Sequence, residues 1–175
     1  MDRRQFGKMA AGVLMPAVAG APSLARAERA TLSYASEAAL KAPPQKPWDL
    51  IKVFDKIDAW HPATKNCRMV IGENTRPGAV REFDVEGGAH VMSELLEYDE
   101  AKMYYKYRII KTDLPLANYV ATMQVVAGAD GGSIVKWAGT FQRPDAAGAE
   151  DAATQKLVEM VFAAGLGNLV KLTSK

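Results

Sequence analysis

The chain has 175 residues, of which 49% are hydrophobic and 24% are charged, so its composition is globular and excludes a disordered or fibrous protein. The net charge of +2 arises near the N-terminus, because setting aside residues 1–27 leaves 18 basic and 19 acidic side chains. A nearly neutral domain lacks the surplus of Lys and Arg that nucleic-acid binding requires, so we expect no nucleic-acid partner.

Residues 1–27 predict a cleavable export signal. Arg3 and Arg4 stand in a charged start, a weakly apolar stretch follows, and Ala25-Arg26-Ala27 has the pattern of a cleavage site. The paired arginines resemble a twin-arginine signal, with an ordinary secretory signal as the alternative. An apolar stretch of about 13 residues cannot span a hydrocarbon core of ~30 Å, so we expect no permanent membrane anchor. These features predict a periplasmic protein, cleaved after Ala27, with a single domain over residues 28–175.

The first predicted elements of that domain are a short strand, Thr31–Tyr34, and a helix. A proline-rich segment over residues 41–47 separates them, and Pro47 suits the first turn of a helix. Apolar side chains at three-residue spacing from Trp48 continue this helix to about Asp58. Trp60-His61-Pro62 then predicts a corner.

Beyond the corner, apolar residues alternate with polar ones, as in strands. Turn-forming residues separate six predicted strands, and connections this short favour antiparallel hairpins. From Ala152 a wide apolar stripe predicts a helix of about 20 residues. The fold class is therefore α+β, a curved antiparallel sheet wrapped around a long C-terminal helix. The six strands are Cys67–Gly72, Ala79–Val85, His90–Tyr98, Lys102–Lys111, Asn118–Ala127 and Ser133–Arg143.

Side chains suited to catalysis or metal binding are scarce. His90 and Glu94 share a strand face, but four strand residues separate them by ~13 Å, so we expect no metal site and no cofactor. Cys67 is the only cysteine, which excludes an intramolecular disulfide, and we interpret it as a buried core residue rather than a nucleophile paired with His61. If the protein is an enzyme, His61 and Glu94 are its candidate titrating groups.

Aromatic and polar side chains are mixed on the strand faces. Tyr105 and Tyr107 share one face of their strand, while Glu94 shares a face with Met92, Leu96 and Tyr98. A concave, mainly apolar surface with a few polar groups is typical of a small-molecule pocket. The alternative is that the aromatic rings form an ordinary core and Glu94 lies at its rim.

Several segments resemble the START/Bet v 1-like (SRPBCC) superfamily, and within it the polyketide cyclase/dehydrase-like branch. The resemblance implies a helix-grip fold with a deep cavity for a hydrophobic ligand between sheet and C-terminal helix. Some members of the branch catalyse cyclisation or dehydration. The segments are Pro47–Pro62, Pro77–Phe83, Ser93–Asp99, Tyr104–Ile109, Leu114–Met123 and Val135–Phe141.

An export signal on such a domain is also similar to the MxaD-type periplasmic accessory proteins of methanol oxidation. That resemblance implies a role beside a quinoprotein dehydrogenase and its cytochrome. We rank binding of a hydrophobic or aromatic small molecule first, the accessory role second and a cyclase or dehydratase third. No catalytic residue can be transferred from the family, and five residues are expected to line the cavity or its mouth: Trp60, Glu94, Tyr107, Tyr119 and Trp137.

Overall fold

In the computed structural model, which describes residues 29–174, a seven-stranded antiparallel sheet packs against a long C-terminal helix. The predicted export signal over residues 1–27 lies outside this range. No helix within it is long and apolar enough to cross a membrane. In chain order the main elements are β1 (Leu32–Leu40), α1 (Gln45–Ile51), a 3-10 helix (Phe54–Ala59), β2 (Thr64–Ile71), β3 (Val80–Val85), β4 (His90–Asp99), β5 (Tyr104–Thr112), β6 (Ala117–Ala127), β7 (Ser133–Gln142) and α2 (Asp151–Thr173).

The strand order is β1-β7-β6-β5-β4-β3-β2, so β2 to β7 form consecutive hairpins and β1 joins the sheet beside β7. All six neighbouring pairs are antiparallel. The architecture is a helix-grip fold, which confirms the predicted α+β class. The six predicted strands are all present, with ends that differ by up to three residues.

Two elements near the start of the domain differ from the prediction. β1 continues to Leu40 instead of ending at Tyr34, because it pairs with β7 along its whole length, from Leu32 opposite Phe141 to Leu40 opposite Ser133. The predicted helix from Pro47 to Asp58 is interrupted, since Val53 has an extended backbone and separates α1 from the 3-10 helix.

The core lies between the inner face of the sheet and α2. Val158, Phe162, Leu166 and Leu169 form the buried face of α2. The ring of Phe162 stacks on that of Trp137 in β7, with centroids 4.2 Å apart and planes 11° from parallel. This contact fixes the middle of α2 against the sheet.

The corner at Trp60 and His61 packs against the same helix. His61 Nε2 lies 3.0 Å from the backbone oxygen of Val161, and the side-chain amide of Asn168 donates to the backbone oxygen of Trp60 at 2.8 Å. Gly165 makes room for the corner, because a Cβ atom there would lie 2.7 Å from His61 Cδ2. The corner therefore holds the second half of α2 in place.

Candidate functional site

An apolar cavity of about 70 Å³ lies between the sheet and α2. A cavity needs ~10–15 Å³ to hold one water molecule, whereas pockets for drug-sized ligands measure ~300 Å³ or more. In this conformation the cavity therefore has room for a small molecule only. Its wall includes Arg81 and Phe83 of β3, Val91 and Ser93 of β4, Tyr107 and Ile109 of β5, Tyr119 of β6, Trp137 of β7, and Val158, Val161 and Phe162 of α2.

Three aromatic side chains place polar atoms at this wall. Trp137 Nε1 donates to the hydroxyl of Tyr107 at 3.2 Å, and the hydroxyls of Tyr107 and Tyr119 lie 3.2 Å apart. Burial raises the pKa of both tyrosines above the ordinary value, so both hydroxyls stay protonated at neutral pH. The three polar groups are therefore neutral and are hydrogen-bonded to one another within an almost wholly apolar wall.

Arg81 brings a charge to the same wall, although its side chain is only 1% exposed. Its Nε donates to Ser93 Oγ at 3.0 Å, and one terminal nitrogen donates to the backbone oxygen of Phe54. The guanidinium carbon lies 4.0 Å from the centre of the Phe54 ring, within reach of a cation–π interaction. Sequence reasoning missed Arg81, although its alternation with Ala79 and Phe83 places all three residues on one strand face.

His61 also contacts the cavity, but backbone groups engage both of its ring nitrogens. Nε2 lies against the oxygen of Val161, and Nδ1 accepts from the backbone N–H of Ala63 at 3.3 Å. This arrangement requires the neutral tautomer with its proton on Nε2. Burial lowers the pKa of His61, which favours the same neutral form. Neither nitrogen is left to exchange a proton with a molecule in the cavity.

Cys67 has no features of an activated nucleophile. Its side chain is half-buried, and burial raises the pKa of the thiol above its ordinary value. A raised pKa disfavours the thiolate, which is the reactive form. Cys67 was predicted to be a buried core residue, but it is only half-buried and packs against the edge of the core.

The structure brings four of the five predicted cavity residues together. Tyr107, Tyr119 and Trp137 lie in the wall. Trp60 is buried just behind it, with its ring centre 5.7 Å from that of Trp137. Whether these side chains bind a ligand stays a prediction.

Glu94 is the exception, and its predicted place at the cavity is wrong. The inward-facing residues of β4 are Val91, Ser93 and Leu95, so Glu94 points to the outer face of the sheet. There its carboxylate accepts from Arg108 Nε at 2.7 Å on the neighbouring strand.

The fold and the cavity define a helix-grip protein, and comparison with known families identifies the family to which it belongs. The family model described as polyketide cyclase/dehydrase and lipid transport matches residues 31–173. The chain therefore belongs to this family, which confirms the resemblance to the polyketide cyclase/dehydrase-like branch.

One curated relative matches part of the chain. The chain is 32% identical to the abscisic acid receptor PYL10 of Arabidopsis thaliana in an alignment 89 positions long, which covers 49% of this chain and 48% of the receptor. The match thus spans about half of that relative's length.

Solved structures match over more of the chain. The protein XoxI from Bacillus cereus superposes with a TM-score of 0.74 at 24% identity, covering 82% of this chain and 96% of XoxI. A protein from Thermobifida fusca gives a TM-score of 0.65 at 28% identity, covering 80% of this chain and 90% of that one. The likeness to XoxI concerns the fold alone.

Proposed function

We propose that the protein binds a small hydrophobic or aromatic molecule in the cavity between the sheet and α2, as a carrier or sensor. The observation that carries the proposal is the cavity itself, an apolar space at the centre of the fold. Transfer of apolar surface from water into such a space is favourable by ~25 cal/mol per Å². The hydroxyls of Tyr107 and Tyr119 supply polar groups that can orient a ligand.

The contacts of α2 indicate where a ligand gains access. The second half of the helix is held by the corner and by Lys46, whose ammonium group donates to the backbone oxygen of Thr173 at 3.1 Å. Near its start, Thr154 Oγ1 donates to the oxygen of Pro115 at 3.2 Å, in the loop between β5 and β6, and Asp151 forms a half-exposed ion pair with Arg143 at 3.3 Å. We expect the start of α2 to move away from this loop, which would also enlarge the cavity for a longer ligand.

A titration of the full chain with neutral apolar probes, toluene and indole, tests the proposal by NMR. Val158 lies in the cavity wall and is buried, so Val158→Phe fills the cavity. Ile110 is exposed, and Ile110→Phe adds the same ring outside the cavity. We expect the probes to shift resonances of cavity residues in the wild type and in Ile110→Phe, but not in Val158→Phe. Equal binding by all three proteins, or binding by none, would contradict the proposal.

The proposal includes export to the periplasm, which rests on the sequence of residues 1–27. If the signal is of twin-arginine type, the double variant Arg3→Lys, Arg4→Lys keeps the chain in the cytoplasm, whereas an ordinary secretory signal tolerates it. N-terminal sequencing of the periplasmic fraction is expected to begin at Glu28, after cleavage at Ala27. Recovery of an uncleaved chain from the cytoplasm would overturn this part of the proposal.

The two alternatives rank below binding. A cyclase or dehydratase would need a titrating group in the cavity, yet the nitrogens of His61 are engaged by the backbone and Glu94 lies on the outer face. The accessory role beside a periplasmic dehydrogenase or cytochrome stays a prediction from the resemblance. Co-purification with either redox protein from methanol-grown cells tests this role, and the absence of both proteins from the purified sample would contradict it.

A further inference from the structure

Arg81 is a buried charge that forms no ion pair with a carboxylate of the described residues. Burial of a charged side chain is unfavourable unless an opposite charge and hydrogen bonds compensate for it. The described contacts of its guanidinium are with neutral groups: the hydroxyls of Ser93 and Tyr105, the backbone oxygen of Phe54 and aromatic rings. Among residues 29–174, no carboxylate forms an ion pair with it, whereas Arg68, Arg76, Arg108 and Arg143 all have one.

The positive charge acts on the groups around the cavity. Burial is the largest influence on the pKa values of His61, Tyr105 and Tyr107, and the charge of Arg81 additionally lowers all three. A positive charge that favours deprotonation of its neighbours also favours an anionic ligand at the same place.

Ser93 adds a second donor beside the guanidinium. Arg81 and Ser93 both lie in the cavity wall, and the hydroxyl of Ser93 accepts its bond from Arg81 Nε. A hydroxyl that accepts one hydrogen bond can still donate its own hydrogen. Arg81 and Ser93 therefore lie together on one side of a space whose surface is otherwise almost wholly apolar.

We propose that the ligand of this cavity has an apolar body and a single carboxylate, which pairs with Arg81 and accepts a hydrogen bond from Ser93. This inference rests on the proposed binding function and names its ligand class. A carboxylate matches the flat fork of a guanidinium with two parallel hydrogen bonds. A phosphate dianion fits less well, because it needs more donors and charge than one arginine and one hydroxyl supply.

Paired probes that differ only in charge test the ligand class. The full chain is titrated calorimetrically with straight-chain carboxylates from butanoate to octanoate and with the corresponding primary amides. We expect the wild type to bind the best carboxylate at least tenfold more tightly than its amide. Arg81→Met removes the charge from the cavity, while Arg108→Met is the matched control on the outer face. The preference is expected to vanish in Arg81→Met and to remain in Arg108→Met.

The outcomes separate this inference from the proposed function. Equal affinity for acids and amides would contradict the carboxylate ligand but not the proposed binding function. Binding of toluene and indole without any binding of the acids would have the same meaning. If no probe of either kind binds, both proposals fail.

A third variant covers the case in which Arg81→Met does not fold. Ser93→Ala removes only the hydroxyl, and we expect it to weaken carboxylate binding several-fold while amide binding changes little. An unchanged ratio of acid to amide affinity in Ser93→Ala would also overturn the inference.

Discussion

Gly165 lies where α2 makes its closest approach to the corner and to β7. A Cβ atom at this position would lie 2.7 Å from His61 Cδ2 and 2.8 Å from Trp137 Cζ3. Both neighbours are rigid rings in a packed core, so neither can move away without disturbing other contacts. The residue is thus required by the contact that holds α2 against the sheet.

We predict that Gly165→Ala lowers the free energy of unfolding by about 1–3 kcal/mol, because overpacking outweighs the helix propensity that alanine gains. Gly167 is the matched control, since no atom lies within 4 Å of a Cβ built there. Gly167→Ala should raise the free energy of unfolding by about 0.5–1 kcal/mol. Urea denaturation measures both variants, and stabilisation by both would show that the close approach at Gly165 is absent.

His61 makes stability depend on pH near neutrality. Burial lowers its pKa below the ordinary value of 6.5, so at mildly acidic pH the unfolded chain takes up a proton that the folded chain does not. We therefore predict that the free energy of unfolding falls as the pH drops below about 6.5, with a slope of at most ~1.4 kcal/mol per pH unit.

The comparison with His61→Gln isolates this effect. The carboxylates with lowered pKa values, such as Asp84 and Asp99, have ordinary values of 3.8 and contribute their own loss at lower pH. Between pH 7 and pH 5 the variant should show the flatter curve in urea denaturation. Identical slopes for wild type and variant would mean that His61 does not remain neutral in the folded protein.

Single residues show what the sequence could and could not predict about the site. Tyr107, Tyr119 and Trp137 were recognisable as large rings on strands with alternating pattern, and all three lie in the cavity wall. Arg81 was not recognisable as a cavity residue, because arginine is rarely fully buried. A strand pattern also does not say which arginine lacks an acidic partner. That property depends on contacts between residues far apart in sequence.

At the scale of elements, β4 shows how a correct alternation can be assigned to the wrong face. Glu94, Met92 and Leu96 do share a face, but it is the outer one. Both faces of β4 carry apolar residues, so the pattern alone does not tell inside from outside. A register irregularity between Leu95 and Glu97 then moves Tyr98 to the inner face, where its ring lies 5.8 Å from that of Trp48.

The outer position of Glu94 leads to a prediction. Glu94→Gln should change the free energy of unfolding by less than about 1 kcal/mol, because the ion pair that it breaks with Arg108 is partly exposed. Ligand binding should be unaffected. Leu95→Gln, one residue further along and buried, should lower stability by about 2–5 kcal/mol. Chemical denaturation distinguishes the two, and a large loss in Glu94→Gln would place the carboxylate in the interior after all.

β1 and α1 show where local sequence was too weak a guide. The second half of β1 is rich in alanine, which is depleted in strands, and full-length pairing with β7 outweighs that preference. The apolar residues at three-residue spacing continue across the interruption at Val53, and all four are buried: Trp48, Ile51, Phe54 and Ile57. Spacing therefore predicted the buried face correctly but not the break in the helix.

At the scale of the whole molecule, the sheet of consecutive hairpins and the terminal helix could be predicted from the sequence. The spacing of apolar residues changes from two in the strands to about 3.6 in the helix, and the turns between strands are short. The size of the cavity could not be predicted in this way, because it depends on the curvature of the sheet and on the distance between the sheet and α2. Contacts at Gly165, His61 and Trp137 set that distance, and none is a property of one element alone.

A ligand that binds only the folded protein must also stabilise it as a whole. At a free concentration one hundred times its Kd, such a ligand adds ~2.7 kcal/mol to the free energy of unfolding. We predict that the best carboxylate of the series raises the Tm of the wild type and of Glu94→Gln alike, and leaves that of Val158→Phe unchanged. Thermal unfolding with and without the carboxylate measures this, and an equal rise in Val158→Phe would place the binding site outside the cavity.

Native mass spectrometry of the protein, purified gently from cells that make it, tests the central claim most directly. We predict a discrete added mass on the wild type and on Ile110→Phe, its loss in Val158→Phe, and recovery of a released molecule that carries a carboxylate. A wild-type protein that shows only the mass of its own chain, and that takes up none of the neutral or acidic probes, would contradict the account.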